Sequence, residues 1–310
     1  MSLQREILSP VTTAGLLYPA LHQQVIQIAM PNMVARQFFQ QYSLTASNSI
    51  TFPKQSGSTG AVVQKIAEGV EIPLDVTPYT SVNCVPYKIA HGFLITKEMI
   101  EDSLIPVQQD QLVRSALRFA NKIDKDCISV IAAGTGSSIT ASGKSLAFDG
   151  TEFVLSGSGG PGIGTYDINN AIAAIEQYNY QPDSLLVHPL AKAFITKLPH
   201  FTSLMHYGQP ILQEGMMQVP GKFGDILGLD AYSSTNCPTG SAYVLSTGKT
   251  SNILGQYSPL GMFVERRPIT TGIKSLEEKD SIGVYITARY TPVVLKGETI
   301  CAITGINVGV

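Results

Sequence analysis

The sequence predicts a fold that mixes helices and strands, α/β or α+β, and three observations carry that expectation. The segment "VQQDQLVRSALRFANKIDKDCISVIAAG" (107–134) repeats apolar residues every three or four positions, as a long amphipathic helix does. Further on, "TEFVL", "DINNAIAAIEQYN", "SLLVHP" and "PLAKAFITKL" alternate strand and helix signals. The C-terminal third then reads as successive strands, with no internal repeat.

Composition bounds the rest. A chain of 310 residues, 44% apolar, can bury one large core or two modest ones. Its 23 acidic and 21 basic residues nearly cancel, so no overall field argues for nucleic-acid recognition. Charged residues make up only 14% of the chain, which lowers the cost of burying its surface against another chain. The four cysteines (Cys84, Cys127, Cys237, Cys301) are scattered without a C-x-x-C pair, favouring reduced, buried thiols over a disulfide framework or zinc site.

Taken in order, the N-terminal stretch between Glu6 and Arg36 carries no formal charge. It is too often broken by Pro10, Pro19, Gln23, Gln24, Gln27 and Pro31 to span a membrane, and it lacks a signal-peptide pattern. It reads as an arm with a short helix around 17–29. Residues 49–85 alternate in "ITFPK", "AVVQKIA" and "SVNCV", with Gly57, Gly60 and Gly69 as turns, giving an extended ribbon too thin in apolar residues to stand alone. "YKIAHGFLITKEMIEDSLIP" gives a strand and a short helix through Met99 and Ile100, with Pro106 suited to a first helical turn.

The long helix places Leu112, Ala116, Phe119, Ile123, Cys127 and Val130 in one stripe, spans nearly 40 Å at about 1.5 Å per residue, and ends at Gly134. Residues 134–166 are rich in Gly and Ser around two short strands, "KSLAF" and "TEFVL". Asp167 suits the N-cap of a helix whose Ile168, Ala171, Ile172 and Ile175 share a face, and Pro189 opens the next helix. "DILGLDAYSS", "SAYVLSTG", "TSNILGQY", "GMFVERRPI", "SIGVYITARYTPVVLK" and "TICAITGINV" supply the later strands.

Enzyme motifs fail on context. "GSGGPGIG" (157–164) satisfies G-x-G-x-x-G, with Asp183 downstream where a ribose-binding acid would stand. In a dinucleotide site, however, the glycines turn directly into a helix whose N-terminus meets the pyrophosphate. Here four residues intervene before Asp167, whose charge would oppose a phosphate, and a surface loop is the plainer reading. Gly143-Lys144-Ser145 and Gly248-Lys249-Thr250 lack the glycine five places earlier that a phosphate loop needs, Ser138 and Tyr243 standing there instead. No G-x-S-x-G or H-E-x-x-H occurs, and Glu98 with Glu101 and Glu277 with Glu278 read as solvated or interface charges. No catalytic, cofactor-binding or metal-ligating residues are assigned.

The segment "VVQKIAEGVEIPLDVTPYTSVNCVPYKIAHGFLITKEMIEDS" resembles the Hong Kong 97-like major capsid proteins of tailed phages, in which an acidic extended loop leads into "K-I-A…I-T-x-E-M-x-x-D-S". The long helix ending in Gly, the "DINNAIAAIEQYN…SLLVHPLAKAFITKL" stretch and the closing "DSIGVYITARYTPVVLKGETICAITGI" follow in the family's order, so the likeness covers most of 35–310.

The resemblance implies an α+β capsid fold: an N-terminal arm (1–48), an extended loop (49–85), a peripheral domain with a spine helix (86–165), an axial domain (166–257) and a return to the peripheral domain (258–310). The glycine run becomes the connection between two domains. It implies a structural subunit that assembles with itself as pentamers and hexamers around double-stranded DNA, without sequence-specific binding or a membrane. A separate scaffolding protein, a portal and cementing proteins are possible partners, and no cofactor is expected. On the loop, Lys65, Glu68, Glu71 and Asp75 are the intersubunit candidates, with Arg114, Arg118, Arg266 and Arg267 as partner charges. Scaffolding relatives carry a domain before the arm, and this chain begins almost at the arm, so scaffolding is expected from a separate protein or a longer precursor. Lys65 does not clearly match the place of the crosslinking lysine of some relatives, so the crosslink is not predicted. An encapsulin nanocompartment around a cargo enzyme is the alternative; a nucleotide-dependent enzyme rests only on the glycine decoys.

Overall fold

A computed structural model describes residues 33–55 apart from Ala46, 79–102, 107–148, 153–196, 221–248, 260–276 and 280–307, with Val25, Ala29, Lys65 and Glu68 singly. A 3-10 turn (Ala35–Phe38) opens the described chain, followed by strands β1 (Gln40–Ser43), β2 (Ile50–Gln55), β3 (Tyr79–Cys84) and β4 (Tyr87–Thr96). Helices α1 (Lys97–Glu101) and α2 (Val107–Ala133) come next, then β5 (Ser137–Thr140), β6 (Gly143–Phe148) and β7 (Phe153–Gly162). Helix α3 (Thr165–Glu176), β8 (Ser184–Val187) and α4 (Pro189–Thr196) form the alternating middle. The rest is β9 (Lys222–Ile226), β10 (Leu229–Ser233), β11 (Ser241–Leu245), β12 (Gly261–Leu276), β13 (Ser281–Val294) and β14 (Ile300–Thr304).

The long helix forms as its stripe predicts, with Leu112, Ala116, Phe119, Ile123 and Cys127 buried, and the Gly134 N–H closing its last turn on Val130 O at 2.9 Å. Val130 departs from the expectation: it is half-buried, and Ile128 and Ile131 continue the seam. Asp124, hidden in the same seam, is wholly buried.

Two sheets flank α2. The four-stranded sheet has the order β1-β12-β13-β4, parallel between β1 and β12 and otherwise antiparallel. Its inward residues Phe263, Val284, Ile286, Ala288 and Tyr290 join one core with the helix stripe. The six-stranded sheet has the order β5-β14-β11-β8-β10-β9. Successive side chains of a strand point to opposite faces. Here Leu186, Tyr232, Tyr243, Leu245, Ile300 and Ala302 share the α2 core. Their neighbours Leu185, Val187, Ala231, Ala242, Val244, Cys301 and Ile303 build a second core under α3 and α4. Strands covered on both faces need unbroken apolar runs, which is why "SLLV" and "ICAI" lack polar alternation.

Several expectations change. Asp167 is the third residue of α3, not its cap: Gly164 holds the cap position and its N–H donates to Asp167 Oδ2 at 2.8 Å. "DILGLDAYSS" is two strands, β9 and β10, because Leu227 and Gly228 both take left-handed backbone (φ 51° and 82°) and close a two-residue hairpin. The glycine run is not a loop. It lies in β7, where the ladder passes from Lys144↔Pro161 to Ser145↔Ser156 and residues 157–160 form a bulge. Of the expected ribbon, β2 and β3 pair antiparallel at its base, and Phe52 and Cys84 pack with Leu44, Met262, Val264 and Leu295 in a third small core. "AVVQKIA" apart from Lys65, Pro106, "TSNILGQY", and the 17–29 helix apart from Val25 and Ala29 lie outside the described residues; those two are helical and fully buried.

Candidate intersubunit interface

The polar groups deepest in the chain are structural. Asp124 accepts from the Ala35 N–H at 2.6 Å, the Ser234 hydroxyl at 2.6 Å and the Asn236 amide at 3.0 Å, joining the N-terminal turn and the segment after β10 to the spine helix. Burial, then the Asp124 charge, pushes the neighbouring Cys237 thiol up to about 12. One helical step on, Asp126 accepts from Tyr87 and Tyr290 hydroxyls at 2.9 and 2.8 Å and from Lys122 at 2.7 Å, locking α2 to β4 and β13. Burial first, and then that carboxylate, hold both tyrosines well above their ordinary value. Asp183, which the glycine run had suggested as a ribose ligand, is turned inward onto the N–H and hydroxyl of Thr247. All four cysteines are buried free thiols.

These groups are already spent on the fold. Among the described residues no cluster of His, Cys, Asp and Glu is placed to hold a metal, and no helix is long and apolar enough to cross a membrane. A shallow cleft of about 180 Å³ lies between β4 and α2, lined by Ile89, Ala90, His91, Arg118, Phe119 and Lys122.

The expected interface residues fall in different places. Lys65 and Glu68 are exposed, whereas Glu71 and Asp75 lie outside the described residues. Arg114 is exposed but forms an ion pair with Asp110 at 2.8 Å one turn earlier on α2. Arg118, a turn further, lines the cleft. Arg266 and Arg267 lie instead on β12, where the β12–β13 ladder shifts register between Glu265 and Arg267 and again before Thr270. The four arginines are therefore not one patch: two ride on the helix, two on a bulged strand. Reading by residue missed Arg289, which the ladder sets beside Arg267, and Lys88, which stands one strand further, beside Arg289. Strand parity could have found them, since Lys88 and Arg289 alternate with the inward residues Ile89 and Ala288.

The chain's relatives give this surface its context. The sequence profile of the phage capsid protein family matches residues 80–304, most of the chain from β3 to β14. The chain belongs to the phage capsid protein family. The family is structural rather than catalytic. The major capsid protein of Staphylococcus phage phiMR11 is 26% identical over 209 residues, 67% of this chain and 66% of that protein, so the match spans just under two thirds of the relative's length. Solved structures share the fold at low identity. The capsid of cyanophage P-SCSP1u superposes with a TM-score of 0.60 at 11% identity, over 87% of both chains. A chain from Microbacterium phage Oxtober96 gives 0.56 at 14% identity, over 88% of this chain and 91% of that one. The SrpI encapsulin complex from Synechococcus elongatus gives 0.58 at 10% identity, over 88% and 86%. The α+β capsid fold of the Hong Kong 97 type is thus shared by phage shells and encapsulins alike.

Proposed function

We propose that this chain is the repeated subunit of a phage head, assembling with itself as pentamers and hexamers into an icosahedral shell around double-stranded DNA. The observation that carries this reading is the family match from β3 to β14, because the fold alone is shared with nanocompartments. In this reading residues 1–48 are the arm, 49–85 the loop laid on a neighbour, 86–165 and 258–310 the peripheral domain and 166–257 the axial domain, whose sheet is completed by β5 and β14. Assembly takes place in the host cytoplasm, with portal, cementing and separate scaffolding proteins as further partners.

The protomer's own surface supports association. Tyr79, Leu94, Met99 and Tyr166 are large apolar side chains at least half exposed. Covering them stabilises contacts at about 25 cal/mol per Å², offset by lost rigid-body freedom, so individually weak contacts suit a closed lattice. DNA packing does not demand a basic chain when counterions neutralise the charge, and the formal net charge of −2 is compatible with it.

Negative-stain electron microscopy of the purified chain, with light scattering, tests the reading. Closed shells or rings of five and six subunits are expected, with nucleic acid retained in shells from infected cells. Monomers or dimers at all salt and protein concentrations would overturn it, and shells holding a protein cargo instead of nucleic acid would favour the encapsulin alternative.

A further inference from the structure

We propose that the cleft between β4 and α2, with His91, Arg118 and Lys122 around it, is a phosphate-binding site that takes the backbone of nucleic acid enclosed by the shell. The inference rests on the shell reading above and names the surface at which the enclosed polymer touches the protein.

Strand parity and helix period bring the cleft's basic groups together. His91 shares the parity of Ile89 and Phe93, which pack on the α2 core, so it faces the helix. Arg118 and Lys122, one helical turn apart, line the other wall. Among the described residues β4 ends its sheet, which leaves the cleft reachable from the side. None of the six lining residues is acidic. Lys122 shares its charge with Asp126, whereas Arg118 and His91 have no hydrogen bond or ion pair among the described residues. Ile89 and Phe119 add apolar wall, so an anion inside meets the cations with less water between them. At about 180 Å³ the cleft is smaller than the roughly 300–1,000 Å³ of drug-sized ligand sites, too small for a whole nucleotide but roomy for one phosphate group. The Arg118 guanidinium can donate to two phosphate oxygens at once, and Lys122 adds a point charge.

The helix continues the charge beyond the cleft. Arg114, Arg118, Lys122 and Lys125 recur at spacings of four, four and three, so they share one face of α2, and all four are exposed. Along the axis they span roughly 16 Å at about 1.5 Å per residue. One strand of duplex DNA places roughly five phosphates in that length, at about 3.4 Å each. Asp110 offsets Arg114 and Asp126 offsets Lys122, each within the helix. The uncompensated cations are therefore Arg118 and Lys125, two turns apart and nearly in line, and Lys125 too has no partner among the described residues. The whole chain has a formal net charge of −2, so this excess is local and not a share of a generally basic surface. Contacts of this kind hold a backbone without reading its bases, as a shell that encloses any sequence requires.

The test uses the full chain, before and after assembly. Fluorescence anisotropy follows binding of short DNA duplexes of two unrelated sequences across a salt series. Arg118→Gln with Lys125→Gln breaks no pair within the protomer and is expected to weaken both duplexes alike. The expected loss is about tenfold at about 0.2 M salt, with the slope of log affinity against log salt shallower by about 1.8. Lys54→Gln with Lys274→Gln removes equal charge elsewhere and is expected to leave the slope unchanged. In assembled shells, acetylation of Lys125 read by mass spectrometry is expected to fall severalfold when nucleic acid is inside, while Lys274 is labelled alike in filled and empty shells. Equal slopes and equal labelling, in shells that do hold nucleic acid, would overturn the site and leave the shell reading intact. Broadening of the phosphorus NMR line of inorganic phosphate that requires Arg118, with no change in duplex binding, would overturn the nucleic-acid source in favour of free phosphate. Carbodiimide coupling of Lys122 or Lys125 to a carboxylate of another protein chain in filled shells would overturn it in favour of an acidic protein segment. Shells that never hold nucleic acid would remove the shell reading itself, and this inference with it.

Discussion

The two sheets of this chain handle their polar groups in opposite ways. In the six-stranded sheet both faces are apolar and covered, and the carboxylates at its margins are met from within: Asp183 by Thr247, and Asp230 by Lys222 at 2.7 Å. Burial pulls the Lys222 amine down, but hydrogen bonds to Asp230 and Asp225 outweigh it and leave the amine above its usual value. In the four-stranded sheet the outer face is covered at one end, where Met262 and Val264 enter the third core, and elsewhere carries Lys88, Arg267 and Arg289, small residues and exposed Leu94. The first sheet is explained by the chain's own fold. The second leaves charged and small residues on its surface, and stability within the protomer should follow that division.

The largest contrast is expected between two leucines. Leu185→Ala in the fully buried β8 should lower unfolding free energy of the unassembled chain by about 3 kcal/mol in guanidinium titrations, through lost transfer energy and a cavity. Leu94→Ala on the bare face should change it by less than about 0.5 kcal/mol. Similar costs would break the comparison.

Asp124→Ala should come next, at roughly 2–3 kcal/mol in the same titration, because three donors would be left without an acceptor. Asp124→Asn keeps an acceptor oxygen and should lose less. An alanine variant as stable as the parent would mean that the N-terminal turn is not fastened through this carboxylate.

The smallest effect is a pH dependence. Tyr87, Tyr232 and Tyr290 are all held above the ordinary tyrosine value of 10.0, by burial first. Below pH 10 both folded and unfolded chains keep these protons, and no slope arises from them. Above it the unfolded chain releases protons that the folded chain retains, so unfolding free energy falls as pH rises. Stability should be flat from these groups through neutral pH and decline above about pH 10, with tyrosinate absorbance appearing together with unfolding. Tyrosinate absorbance from all three residues in a still-folded chain would contradict this.

Much of the fold was legible in order and kind. The α2 stripe, the buried "SLLV" strand and the Pro189 helix start all follow from local periodicity and backbone chemistry. Legibility stopped where partners are remote. Asp167 reads as a cap by residue type, yet its place in α3 was decided by Gly164 and by Ser142, whose hydroxyl and N–H both donate to it. The glycine run reads as a loop or a phosphate cradle until β6 is found alongside it.

The same holds for the candidate interface. Arg266 and Arg267 stand out as neighbours in sequence, but Lys88 and Arg289, 201 positions apart by number, become neighbours only through the β4–β13 ladder. By itself the sequence determined which segments are helix or strand and that the chain is poor in charge. Tertiary structure alone decided which charges share a surface, because strand register brings distant residues opposite one another and turns scattered single charges into a row.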